Sequence, residues 1–254
     1  MDAYRESLIA EWKVDSTEIT QMEYATSSEY ASTTDGYLYE GVDGAITWKV
    51  DSAGVLYLTG NGDYEGVYLE DERETVPQWS SDDVCLKIKK AVVNVTGITS
   101  LRNFFYNCQY MESVDLSGLN ASNTTNMATM FGQCCSLKSV DFSNLNTSKV
   151  KYMTNLFYGC TELESINLSN VDTGNVVSMG SMFMFCEALE TVDVSSFDTS
   201  KVTTMAGMFN TCINLAQIDI SNFNTGNVTD MTCMFNQCEA LESIDVSGFD
   251  TNKL

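Results

Sequence analysis

Six thiols stand at a fixed spacing. Cys108, Cys134, Cys160, Cys186, Cys212 and Cys238 lie 26 residues apart. A ladder of this kind could form disulfides or hold metal. Neighbouring extended segments run roughly 5 Å apart, within disulfide reach by Cα distance. In-register side chains point the same way, however, and each thiol would have to choose one neighbour. Zinc sites are built on close C-x₂-C pairs with further ligands, whereas this chain has no histidine and Cys134-Cys135 are adjacent. The ladder therefore reads as a column of small, buried, reduced residues, with no metal and no cofactor. Cys85, Cys135 and Cys233 fall outside it and are expected at the surface.

Carboxylates recur at the same spacing. Glu112, Lys138, Glu164, Glu190, Ala216 and Glu242 form one column, and Asp115, Asp141, Asn167, Asp193, Asp219 and Asp245 a second. A third holds Ser117, Ser143, Ser169, Ser195, Ser221 and Ser247. Two carboxylates suffice to hydrolyse a glycoside, and the lack of histidine excludes the usual triads and imidazole acid–base schemes. Every outward acid here belongs to a repeated column, so none is singled out as catalytic. No enzyme is expected, and a carboxylate hydrolase is a remote alternative. Binding suits the stripe better. The candidate face comprises Glu112, Asp115, Asp141, Glu164, Asn167, Glu190, Asp193, Asp219, Glu242 and Asp245. A basic patch on a protein, or Ca²⁺, would neutralise it. The plainer reading is a solvated edge whose serines tie down turns. Carboxylates about 5 Å apart repel by roughly 1 kcal/mol in water and about 3 at an effective dielectric of 20. That repulsion predicts raised folded-state pKa values and stability that grows as pH falls from neutral toward 5.

These columns belong to a longer repeat. Phe105, Phe131, Phe157, Phe183, Phe209 and Phe235 keep the period, as do Val114, Val140, Ile166, Val192, Ile218 and Ile244. Self-similarity at such a period means a solenoid of stacked coils. In one coil, Met153, Leu156, Phe157 and Cys160 follow the i, i+3, i+4, i+7 spacing of a short helix. Ile166-Asn167-Leu168 alternates as a short strand, with Asn167 outward. Asp172-Thr173-Gly174-Asn175 is a turn, and the Asx-Thr column to which it belongs is turn chemistry at each corner. The expected fold is an α/β solenoid: a right-handed stack with one parallel sheet, short helices and a β-rich N-terminal cap.

Charge sets limits on partners. With 35 acidic against 13 basic residues the net charge is −22, which repels phosphate backbones and anionic lipid heads. No nucleic acid and no membrane insertion are expected, since no apolar run reaches spanning length. Asp2, Arg5, Glu6 and Glu11 interrupt any leader at Met1, and the last repeat stops at Lys253-Leu254 without a cap. Either the protein is cytoplasmic or its leader lies upstream of Met1, and at the other end the repeats are expected to continue beyond Leu254.

The block M-x-x-M-F-x-x-C-x-x-L-x-x-I-D-x-S, as in Met231 to Ser247, resembles the 26-residue bacterial surface-protein repeat of the BspA-like leucine-rich repeats. The resemblance covers about 160 residues in six copies. It implies an extracellular or cell-surface bacterial protein used for adhesion or host contact, with a protein or glycan ligand, basic or host-derived, and it supplies no catalytic residues. An intracellular leucine-rich-repeat scaffold is the alternative. The segment from Gly44 to Gly97 resembles the lead-in of such proteins. On its own residues, Ile46–Val50 and Val55–Thr59 joined by Asp51-Ser52-Ala53-Gly54 give a hairpin, and Ala91–Val95 gives a strand able to join the first coil. Three regions follow: an acidic, loosely ordered arm or linker over 1–37, a cap over 38–97 and a solenoid of six repeats over 98–254.

Overall fold

The computed structural model describes residues 36–69 and 74–254. The arm expected over 1–37 lies outside the described residues except for its last two positions, and Tyr37 already opens a strand. The first three strands, β1 (Tyr37–Asp43), β2 (Ile46–Asp51) and β3 (Val55–Asn61), form an antiparallel meander. The β2–β3 turn is the one read from the sequence. Asp51 Oδ1 accepts the N–H groups of Ala53 and Val55, each at 2.9 Å. Gly54 takes φ +80°, and a Cβ there would meet the Lys87 carbonyl at 2.6 Å, so the turn needs glycine. β4 (Val67–Leu69) and β5 (Glu74–Val76) form a separate antiparallel pair, followed by the one-turn helix α1 (Asp82–Cys85). β6 (Lys90–Thr96) lies parallel between β3 and β7 (Ser113–Asp115), which carries the cap sheet into the repeats.

The repeats depart from the expected coil in two ways. First, the parallel strand face is short and broken. β8 (Ser139–Asp141) pairs with β9 (Ser165–Asn167) in a sheet of their own. The strands expected over 192–194, 218–220 and 244–246 do not form, and a single bridge, Thr191 to Gln217, stands in their place. The shortness has a local cause. In each coil the residue-two-on N–H turns back to the Asp or Asn side chain, for example Ser195 N–H to Asp193 Oδ1 at 2.9 Å. That N–H is lost to the ladder, so extension beyond three residues stops. The three coils that do form strands make the same bond, so it limits strand length and not strand formation.

Second, the short helices are absent. The stretch from Leu101 to Cys108 and its counterparts are successions of turns. N–H groups alternate in destination: Phe104, Tyr106 and Cys108 bond three residues back, while Leu101, Asn103, Phe105 and Asn107 bond to Asn126, Ala128, Met130 and Gly132 of the next coil. The same four-bond pattern joins each later pair of coils through Phe209 to Met234 and Thr211 to Asn236. A helix would keep all these donors inside one coil. Alternation instead requires left-handed residues at a four-residue spacing, and Asn103, Asn107, Asn155, Gly159 and Gly207 among others have φ between 57° and 73°. Asn and Gly enter that region most readily. The i, i+3, i+4 apolar spacing serves consecutive three-residue turns as well as it serves a helix. Parallel bridges at Ser100, Asn126, Tyr152, Ser178, Thr204 and Asp230 mark a ladder that crosses all six repeats on this turn face.

Inside, one side chain per coil stacks on the next. The rings of Phe131, Phe157, Phe183, Phe209 and Phe235 lie 5.3–5.7 Å apart with interplanar angles of 6–11°. Phe104, edge-on to Phe105 at 5.0 Å, and Trp79, edge-on to Phe104 at 5.1 Å, close the N-terminal end. Trp79 Nε1 also donates to the Phe104 carbonyl at 2.7 Å. Buried threonines form a second column. Thr147, Thr173, Thr199 and Thr225 each donate Oγ1 to a carbonyl of the next coil at 2.9–3.2 Å. Each also accepts the N–H of that same residue, Asp172, Asp198, Asn224 or Asp250, at 2.7–2.8 Å.

The ladder cysteines are free thiols, fully buried from Cys108 to Cys212 and half-buried at Cys238. Each from Cys134 on donates Sγ–H to the carbonyl of the phenylalanine one coil back, as Cys160 does to Phe131 at 3.1 Å. Burial pushes the thiols of Cys108, Cys134, Cys160, Cys186 and Cys212 well up, away from the reactive thiolate. The expectation for Cys85 is corrected: it is buried at the end of α1, and of the three outlying thiols only Cys233 is exposed and Cys135 half-exposed. Native thiol labelling should therefore modify Cys233 and Cys135 fast, Cys238 slowly, and the other six only on unfolding. Rapid labelling of Cys85 or Cys160 would contradict this arrangement.

Candidate binding face

All ten residues of the proposed face, from Glu112 to Asp245, are exposed. They lie on the short-strand side of the coils and do not converge. Asp193 and Asp219 come together on a hollow of about 420 Å³ between two coils, beside Thr191 and Gln217. Glu112 lies apart, in a hollow of about 320 Å³ with Lys87, Lys89, Leu86 and Tyr110 at the junction with the cap.

The aspartate column is not a row of strained, repelling charges. Each member accepts the N–H of the serine two residues on: Asp115 from Ser117, Asp141 from Ser143, Asp193 from Ser195, Asp219 from Ser221 and Asp245 from Ser247, at 2.8–3.0 Å. Asn167 does the same for Ser169 at 3.3 Å. These bonds favour the ionised form and hold the carboxyls below the usual range. The serine hydroxyl acts most at Asp115, Asp141, Asp193 and Asp245, and the backbone N–H most at Asp219. Repulsion across solvent-exposed levels is weakened by water and salt, and the local bonds win. The expected rise in pKa is thus reversed, and the serine column proves to be the partner of the aspartates.

The sign of the pH effect follows. A depressed folded-state pKa contributes stability that is present above the unfolded value and is lost as pH falls through the folded one. This column should leave stability flat from pH 7 to about 5 and reduce it below about 4. Asp193→Asn keeps an acceptor oxygen, as Asn167 shows in the same column, and should be close to neutral. Asp193→Ala should cost about 0.5–1 kcal/mol at pH 7, in the range of a net exposed hydrogen bond, and less at pH 3. Urea melts at both pH values measure it, and a stabilised Asp193→Ala would restore the repulsion account.

Sequence reasoning missed the two positions that stand out from the repeat. Tyr110 and Tyr152 are large aromatics at 56% and 45% exposure. The available signal was column composition: Tyr152 shares its column with Ser100, Asn126, Ser178, Thr204 and Asp230. Among the described residues, no group of three or more His, Cys, Asp or Glu is placed to hold a metal ion, and no helix is long and apolar enough to cross a membrane.

Comparison with known proteins gives one family. The family described as "Mycoplasma protein of unknown function, DUF285" matches residues 83–191 and 164–254, which together run from the end of the cap through every repeat. No curated protein matches the chain. A leucine-rich repeat protein from Eubacterium ventriosum ATCC 27560 is similar at 13% identity and a TM-score of 0.26, over 84% of this chain and 98% of that one. A likeness of that size carries no argument about fold.

Proposed function

Since the chain belongs to the DUF285 family, whose description assigns no activity, we propose a function from the geometry: a non-catalytic, BspA-like leucine-rich-repeat module that presents its strand face to a protein partner outside the cell. In this reading the repeats wind as one right-handed solenoid. Parallel bridges at a 26-residue interval and coil-to-coil hydrogen bonds support the stack. The observation that carries the function is the regular exposure of carboxylates on successive coils, pre-ionised by their own serine turns. Such a surface suits a basic patch with matching spacing, and it steers association electrostatically.

The test is surface plasmon resonance of this fragment against a panel of host extracellular-matrix proteins, at low and high salt. Binding should weaken with salt and fall at least tenfold in Glu164→Lys/Glu190→Lys. Binding that is indifferent to both, or none to any member of the panel, would refute the reading. One observation favours a second reading, an intracellular scaffold: all nine cysteines are free, which suits a reducing compartment. Surface proteolysis of intact cells separates the two, because only an exported module is cut.

A further inference from the structure

The turn face carries one aromatic that its repeat does not explain. At four of the six positions of the column the side chain caps the backbone two residues on, and at a fifth Ser178 Oγ instead shares a hydrogen bond with Thr154 Oγ1 at 2.6 Å. Ser100 Oγ accepts the Arg102 N–H, Asn126 Oδ1 that of Ala128, Thr204 Oγ1 that of Ala206 and Asp230 Oδ1 that of Thr232. Tyr152 occupies the same place with a side chain that has no acceptor within reach of its own +2 N–H. It leaves the turn uncapped and puts an aromatic ring at the surface, 45% exposed. A repeat that breaks its local rule at an exposed aromatic points to use rather than folding.

The surroundings specify the use. Tyr152 borders a depression of about 370 Å³ that spans three coils, within the size range of ligand pockets. Its floor is Ala128, small and buried between the longer Arg102 and Thr154 of the same column. Asn126 and Asn155 complete the rim. Among the described residues no carboxylate lines it. A basic partner therefore finds no counter-charge here, and the net charge of −22 opposes an anionic one. What remains is a neutral ligand with an apolar face for the ring and many hydroxyls for amide and hydroxyl groups. We propose that the depression at Tyr152, Asn126 and Asn155 is a binding site for a neutral oligosaccharide. The site lies on the turn face and stands whether or not the strand face binds a protein.

The test uses saturation-transfer NMR and calorimetry with cellotetraose, maltotetraose, mannotriose and the N-acetylglucosamine tetramer, on the parent, Tyr152→Ser and, at an exposed position outside both sets of proposed binding residues, Ser243→Ala. At least one sugar should bind saturably to the parent and to Ser243→Ala, and Tyr152→Ser should lose at least tenfold in affinity. Tyr152→Ser places there the residue that caps the turn at Ser100, so its melting temperature should equal or exceed the parent's. A panel with no binder, undiminished binding by Tyr152→Ser, or a destabilised Tyr152→Ser would each overturn the proposal.

Discussion

Phe183→Ala is expected to destabilise the protein by about 3–5 kcal/mol, the range for truncating a fully buried aromatic in a packed core. Its ring is fully buried, 5.7 Å from Phe157 on one side and 5.3 Å from Phe209 on the other, both nearly parallel to it. The ring touches both neighbouring coils, so the cavity opens between two interfaces at once. The Phe183 carbonyl also accepts the Cys212 thiol at 3.1 Å, which ties the ring's backbone to the following coil. Guanidinium melts give the energy. Amide exchange should show the loss spreading to the coils of Phe157 and Phe209 while the cap strands stay protected. A cost under about 1 kcal/mol, well below the cavity range, would mean that the stack is not the core.

Asp43→Ala should be comparably severe, for a polar reason. This buried carboxylate ends β1 and accepts three backbone N–H groups: Glu65 at 2.9 Å and Gly66 at 2.7 Å on Oδ1, and Gln78 at 2.8 Å on Oδ2. It holds together three separated stretches of the cap. Truncation strands three donors, each costing about 1–3 kcal/mol if left unpaired, so a total on the order of 3–9 kcal/mol is expected. Asp43→Asn retains Oδ1 for Glu65 and Gly66 but turns an amide NH₂ toward the Gln78 N–H, and it should lose about half as much. Urea melts of both variants check the order. An Asn variant as stable as the parent would mean that the Gln78 bond contributes nothing. The damage should stay in the cap, so native-state exchange should report early opening of β2 and β3 and unchanged protection around Phe209.

The repeat was legible because identical side chains recur at identical levels. The phenylalanine stack, the buried thiols and the Asx-Thr corners all follow from in-register columns, and the hairpin at Asp51–Gly54 follows from alternation plus a glycine turn. The turn face was not legible. Apolar spacing reports which side chains face inward, and both a helix and a chain of three-residue turns satisfy i, i+3, i+4. A partial signal lay in the residues between, where Asn103, Asn107, Asn155 and Gly159 mark left-handed positions, but Thr129, Gln133, Ser181, Phe185, Thr211, Cys233 and Gln237 adopt the same conformation with residue types that do not announce it. The electrostatics of the candidate face were misjudged for a related reason. Asp and Ser two apart look like separate columns in the sequence, yet in the fold they form one hydrogen-bonded turn. Asp43 escaped notice because its three partners lie 22 to 35 residues away in sequence.

The claim on which the rest depends is that each repeat bonds only to its neighbours, so that coils are interchangeable units bearing one face. Removing one full period, residues 164–189, tests it most directly. The deletion joins Leu163 to Glu190 in the same phase as the parent's own junction. The shortened protein should fold cooperatively, keep the shape of the parent's circular dichroism spectrum and show a smaller m-value, as expected for one coil less of buried surface. A deletion of half a period from the same point should not fold. A full-period deletion that leaves an unfolded or aggregated chain, while the parent is stable, would contradict the account.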